Sequence, residues 1–298
     1  LRTAPTLALA VLCAALLVPA SRAWACASCA CGDPTLTSMG GEQPFEGRLR
    51  LSTMLRAWGH TEGQQNLDAQ RLREVRMDVA VAYAPRPWLV LAVNLPLQAR
   101  EVLDVSLARE RGWGLGDIDV SAKAFVWKDK EFSPDHLVSV VGGVKLPTGP
   151  RLNARDGTAL GLDAQPGSGS VDPMGGLAWQ GFRGSWSFMA SVLGFLPTRG
   201  REDFRLGASV RTSVGAQYQP STRWAVRLGL DSRAERAADT AGVSEENGGG
   251  FIAYVSPDVL FSPGMDVVVQ AGVRIPVVNQ LRRVSSTPIA QLSLAYDL

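Results

Sequence analysis

The sequence predicts an all-β chain, a transmembrane antiparallel up-and-down β-barrel of about twelve strands with short periplasmic turns and longer extracellular loops. Three observations predict it. Apolar and polar residues alternate with a period of two along most of the chain after Phe45, short and long connections alternate, and charged residues keep to one parity of the alternating segments.

The first 25 residues read as a secretory leader. Arg2 precedes an Ala, Leu and Val run from Leu7 to Val18, and Ala23-Trp24-Ala25 supplies the small residues of a cleavage site. Such leaders carry a basic start and an apolar core of about 7–15 residues, well short of the ~20 that a spanning helix needs. Residues 26–46 then form a cysteine-containing periplasmic arm, and 47–298 the barrel.

Composition narrows the class. Thirty basic residues stand against 28 acidic ones, a net charge of +2, too weak a field to argue for nucleic acid. No apolar stretch after the leader reaches 18 residues, which excludes a helical membrane protein and leaves a β-rich exported one.

The strands follow in order: Arg48–Trp58, Glu74–Tyr83, Leu89–Gln98, Gly116–Trp127, Leu137–Leu146, Asp172–Gln180, Ser185–Leu196, Asp203–Gln219, Trp224–Asp231, Phe251–Phe261, Met265–Ile275 and Ile289–Leu298. In Glu74–Tyr83, for example, Val75, Met77, Val79, Val81 and Tyr83 oppose Glu74, Arg76 and Asp78. Successive side chains of a strand point to opposite faces, so one face is greasy and the other ionic. Asp203–Gln219 holds its alternation for 17 residues, about three times a strand of a soluble sandwich. Turns at Ala84–Pro87, Gly181–Gly184, Gln219–Thr222 and Ser262–Gly264 alternate with longer links at Gly59–Gln70, Arg100–Trp113, Lys145–Ser168, Ser232–Gly249 and Val277–Thr287. That phase puts both mature termini in the periplasm and the barrel in the outer membrane. Trp58, Trp88, Trp113, Trp127, Trp179, Trp186 and Trp224 fall mostly near strand ends, as interfacial girdles do.

An Arg or Lys facing lipid at the bilayer midplane costs ~2–4 kcal/mol. Confinement of charge to one parity therefore points it into a lumen, and the expected lumen-lining residues are Arg50, Arg76, Asp78, Asp117, Asp119, Lys123, Arg205, Arg211, Arg227 and Arg274.

Three glycine-bearing stretches, Gly114-Leu115-Gly116-Asp117, Lys145-Leu146-Pro147-Thr148-Gly149 and Gly167-Ser168-Gly169-Ser170 followed by Asp172, resemble in order and spacing the signatures of a family of outer-membrane transporters named after the meta-pathway of phenol degradation. The resemblance implies a monomeric barrel that moves small, often apolar or aromatic, compounds across the outer membrane. The residues themselves give the glycines a role in turning a loop sharply into a strand and Pro147 a role in ending one, since proline donates nothing to a ladder. The chain ends in Ala295-Tyr296-Asp297-Leu298 rather than in a terminal aromatic, which leaves Tyr296 to serve the barrel-assembly machinery.

The arm reads Trp24-Ala25-Cys26-Ala27-Ser28-Cys29-Ala30-Cys31. Haem attachment needs Cys-x-x-Cys-His, and Ala30 follows Cys29, so it fails. Two readings remain: a disulfide with a spare thiol in an oxidising compartment, or Cys26, Cys29 and Cys31 holding Cu(I), or Zn²⁺ with His60 or His136 as fourth donor. No other cofactor is expected.

Catalytic groupings are missing from the pattern: the two histidines stand near strand ends or in a turn, away from any Ser and carboxylate triad. The expected function is a channel or transporter, not an enzyme, passing a small solute through a charged lumen by way of the loop Thr148–Ser168. Its partners are outer-membrane lipid and that solute, with no nucleic acid. The alternative is an outer-membrane scaffold or binding module whose arm contacts a metal or a periplasmic redox partner.

Overall fold

The computed structural model describes residues 44–62, 70–104, 106, 108–154, 156–244, 249–281 and 284–298. The leader and the cysteine arm lie outside the described residues. Twelve strands make the wall: β1 (Leu49–Glu62), β2 (Gln70–Arg86), β3 (Leu89–Leu103), β4 in two pieces (Arg109–Leu115 and Ile118–Lys128), β5 (His136–Leu146), β6 (Asp172–Arg183), β7 (Trp186–Phe195), β8 (Ser209–Tyr218), β9 (Trp224–Glu235), β10 (Gly250–Phe261), β11 (Val267–Asn279), and β12 in two pieces (Val284–Ser286 and Ile289–Asp297). Neighbours in sequence pair antiparallel, and β1 pairs with both β2 and β12, closing the cylinder. Closure gives every ladder N–H and C=O a partner, the condition for placing sheet in hydrocarbon.

The barrel is inside out. On β9, Val226, Leu228 and Leu230 are each more than half exposed, whereas Arg227 between them is 4 % exposed. Buried positions across the wall are largely polar, among them Arg50, Glu74, Asp78, Lys123, Asp258 and Gln270, while the exposed large side chains are apolar. The apolar belt has limits that match a membrane. On β2 it runs from Val75 to Tyr83, about the 9–11 residues of a spanning strand. Beyond it the outward positions become charged: Arg71 and Arg73 on β2, and Glu101 on β3, which pairs with Arg109 and Arg111 of β4 at 3.1 and 3.3 Å.

These extensions explain where the strands outrun the expected spans. Arg100–Trp113 reads as a loop from its polarity, but β3 and β4 continue through it, with Glu101 opposite Arg111 in the ladder. Charged residues facing out are compatible with sheet once the wall has left the lipid.

The run Asp203–Gln219 behaves in the opposite way. Only Ser209–Tyr218 belongs to the barrel wall. Phe204–Arg205 turns away and pairs with Asp239–Thr240, which in turn pairs with Val243–Ser244, in a small separate sheet. The break is at Gly207, where a Cβ would sit 1.7 Å from the carbonyl oxygen of Arg236. Two backbones cross there, and the alternation continues past a bend that it does not reveal.

Aromatic residues ring the end of the barrel that carries the short turns and both ends of the described chain. Trp186 and Tyr218 approach to 4.9 Å between ring centroids, and Trp224 and Phe261 to 4.5 Å. Tyr83, Trp88 and Tyr296 are exposed on the same rim. Trp58 departs from the girdle expectation. It shares its parity with Arg56, whose guanidinium lies 6.0 Å from its ring, and so belongs to the interior face of β1.

Candidate functional site: the lumen and its inward loop

The lumen is built from the alternate positions of all twelve strands, and its charges fall into three clusters. In the first, Asp78 of β2 receives Arg56 at 2.5 Å, Arg76 at 2.8 Å and the Asn94 amide at 3.1 Å, and Asn94 also reaches Asp119 at 3.4 Å. In the second, Asp231 of β9 accepts the hydroxyls of Ser213 and Ser256, both at 2.6 Å, with Arg274 at 3.6 Å. In the third, Arg227 binds Asp258 at 2.9 Å, and Gln291 donates to the same carboxylate at 2.6 Å. Asp258 fits because Gly272 opposes it: a Cβ there would meet the carboxylate oxygen at 1.8 Å. At the turn end, Arg48 and Arg50 both bind Asp297 at 2.7 Å and tie β1 to β12.

These clusters occupy β8 to β12 and β1 to β4. The remaining wall, β5 to β7, is different. Its buried interior positions include Leu137, Val141, Ala178, Met189 and Leu193, interleaved with Ser139 and Ser191. An ionic band thus faces an apolar strip across the lumen.

At the other end of the barrel, the link between β5 and β6 folds inward. Leu152, Ala154, Leu160 and Ala164 of this loop pack on Leu72 and Val102, which are interior residues of β2 and β3. The buried Gln165 side chain organises the turn: its Oε1 accepts from Leu152 N at 2.8 Å, and its Nε2 donates to the carbonyls of Leu152 and Leu160, each at 2.9 Å. Arg100, paired with Glu74 at 3.1 Å, donates to the Gln165 carbonyl at 2.8 Å and holds the turn to the wall.

The three glycine motifs converge here, on Asp117. In β3 the interval Leu97 to Asn94 spans three residues, while the facing interval Leu115 to Asp119 of β4 spans four. One extra residue makes a β-bulge at Gly116-Asp117 and reverses the parity of β4. Asp117, re-aimed by the bulge, accepts Gly149 N at 3.0 Å, Ser168 N at 2.8 Å, Ser168 Oγ at 3.0 Å and Gly169 N at 3.2 Å. Lys145 stands 3.8 Å away and also pairs with Asp172. From the other side Arg201 donates to the carbonyls of Gly149, Pro150 and Gly167. The glycines are needed for space: a Cβ at Gly167 would lie 2.4 Å from Asp117 Oδ1, one at Gly112 would lie 2.0 Å from Ala164 O, and one at Gly116 would lie 2.8 Å from Pro166 O. Thr148 completes the clamp by accepting Ile118 N at 2.9 Å.

Of the expected lumen residues, Arg50, Arg76, Asp78, Asp119, Lys123, Arg211, Arg227 and Arg274 lie at interior positions of wall strands, and Lys123 is fully buried against the Phe125 ring at 4.8 Å. Asp117 lies at the bulge and binds the loop rather than another wall residue. Arg205 is the correction: it stands in the small outer sheet, paired with Asp239 at 2.6 Å, because the chain leaves the wall before reaching it. Missed by the sequence reading were the acids Glu74, Asp231, Asp258 and Asp297 as specific partners, and Gln165. Parity alone marks the four acids; nothing local marks Gln165. The cysteines of the arm lie outside the described residues, and His60 and His136 sit at opposite ends of the wall, with His136 stacked on Trp179. Among the described residues no three His, Cys, Asp or Glu side chains gather to hold a metal.

Residues 60–280, most of the wall and the whole clamp, match the sequence profile of the family described as "Putative MetA-pathway of phenol degradation". The chain belongs to this family. Its fold is similar to that of the COG4313 outer membrane channel from Pseudomonas putida F1, with a TM-score of 0.67 at 11 % identity over 90 % of this chain and 98 % of that one. Two looser likenesses are the CymD monoaromatic hydrocarbon channel (TM-score 0.47, 11 % identity, 90 % and 91 % covered) and a Pseudomonas aeruginosa FadL homologue (TM-score 0.45, 10 % identity, 84 % and 90 % covered). Comparison with curated proteins gives no match. The family membership, the barrel fold and the lipid-width apolar belt together locate this member of the phenol-degradation family in the outer membrane.

Proposed function

We propose that the chain is an outer-membrane channel that passes a small amphipathic solute, with a partly apolar or aromatic body, and that it catalyses no reaction. One observation carries this reading: the lumen sets an ionic band against an apolar strip, and the loop at its mouth is clamped inside the wall instead of projecting from it. Paired lumen charges attract water and polar groups, whereas Leu137, Val141, Met189 and Leu193 offer an apolar track alongside. The family's description names phenol, an aromatic ring with a polar end, and a solute of that build suits such a track. Aromatic residues and short turns at the terminal end support an orientation with both ends in the periplasm, where Tyr296 is available to the assembly machinery.

Absence of catalysis is supported by the distance along the barrel between the two histidines, which leaves no base beside a nucleophile in the described wall. Purified protein in planar bilayers tests the proposal. It predicts discrete conductance steps of small amplitude, since side chains fill much of a twelve-strand lumen; protein that is folded and inserted yet never conducts or admits solute would refute it.

A further inference from the structure

Resting on the channel reading, we infer that the lumen carries a carboxylate-binding subsite at Arg211 and Arg233, which selects solutes with an anionic end on an aromatic or apolar body. Arg211 of β8 and Arg233 of β9 are direct partners in the ladder, and both occupy interior positions. Directly opposed like charges destabilise a sheet, and on this rung Glu235 stands 3.1 Å from Arg233. The other clusters surround each acid more fully: Asp78 is shared by two arginines that hydrogen-bond to it, and Arg227 has Asp258 with Gln291 behind it. A bound anion would relieve the opposed pair by bridging it.

Arg211 is also placed to receive one. It is exposed while facing inward, and its guanidinium lies 4.1 Å from the centroid of the Phe195 ring. A ring on one side fixes the orientation of the planar fork and leaves its N–H edge to meet a carboxylate with two parallel bonds. Phe195 pairs in register with Met174, and both are partly exposed, so an aromatic body attached to that carboxylate would meet an aromatic and a thioether side chain. The apolar strip begins on the same rung, because Leu193 is the partner of Arg211 on the other side. Head group and body therefore find complementary surfaces within two rungs of the wall.

The test uses the full-length protein in planar bilayers and in liposomes, with benzoate, benzylammonium and chloride as probes. Native protein under a salt gradient gives a reversal potential of anion-selective sign, and benzoate enters liposomes faster than benzylammonium. Arg211→Gln with Arg233→Gln lowers benzoate entry about tenfold, one charge-assisted contact in an equilibrium sense, and abolishes the preference. Arg211→Lys retains the anionic preference but loses part of the advantage of benzoate over chloride, and Phe195→Leu does the same without touching charge. Heat-modifiability on gels checks that each variant is a folded barrel. Conductance that is cation-selective, or anion-selective but unchanged in these variants, overturns the subsite and leaves the channel reading intact. Native protein that inserts and does not conduct overturns both.

Discussion

Replacing Asp117 by Ala should release the inward loop while leaving the barrel closed. The carboxylate accepts four hydrogen bonds from the loop, at 2.8 to 3.2 Å, three of them from backbone amides. Hydrogen bonds to a charged group contribute about 1.5–3 kcal/mol each, but these four act together and are not additive. The loop keeps its other anchors, the Gln165 turn, the Arg100 contact and the packing of Leu160 and Ala164. Removing one partner from a buried charged arrangement typically costs about 3–5 kcal/mol, so the opened population should rise by about two to three decades. Trypsin reads this directly, because Arg151 lies within the loop and is exposed. Cleavage there in folded, lipid-inserted protein should accelerate in proportion, with the wall resistant throughout. Asp117→Asn keeps the shape without the charge and should fall between. A folded Asp117→Ala barrel that is cut at the native rate would refute the clamp.

Three further outcomes follow from the same geometry. Gly112→Ala places a methyl 2.0 Å from Ala164 O, so it should speed cleavage of the loop with every charge retained, as read in the same digestion. Arg227→Leu strands Asp258 in the lumen wall and should lower stability by about 3–5 kcal/mol in urea unfolding from lipid vesicles, while Arg227→Leu with Asp258→Leu should recover most of it; equal losses in single and double variants would contradict the pairing. In the turn after β4, the His136 amide N–H holds the Asp129 carboxyl below the usual carboxylate range. That depression stabilises the turn above the unfolded value of about 3.9 and is lost as pH falls through the folded value, so protection of the His136 amide against exchange should persist at neutral pH and vanish in strong acid, and Asp129→Asn should remove the transition.

The wall was legible because its signal is local. A period of two in the chain becomes two faces of a sheet without reference to anything distant, and a lipid exterior forces charge to one of them. The limits of that signal appear at both kinds of error. Arg100–Trp113 looks like a loop because polarity marks the lipid boundary rather than the end of a strand, and Asp203–Gln219 looks like one strand because Gly207 permits a crossing that alternation does not register. The clamp was legible only as glycines near loop ends. Its chemistry is non-local: Asp117 meets amides 32 and 51 residues further along the chain, and backbone donors carry no residue signature. The glycines serve less to bend the chain than to clear room for a carboxylate and a crossing backbone. Similarly, the bulge that re-aims Asp117 appears as a change of parity between Gly114 and Asp119, a shift that is visible only when the facing strand is known.

The central claim is that solute passes inside this wall, and thiol block tests it most directly. With Cys13, Cys26, Cys29 and Cys31 replaced by Ser, cysteine is placed at Gly229, an interior position with ordinary room for a side chain, or at its neighbour Leu230, which faces lipid. A bulky charged methanethiosulfonate reagent should stop conductance through Gly229→Cys and leave Leu230→Cys unaffected. Conductance that survives full modification at Gly229→Cys would contradict passage through the lumen.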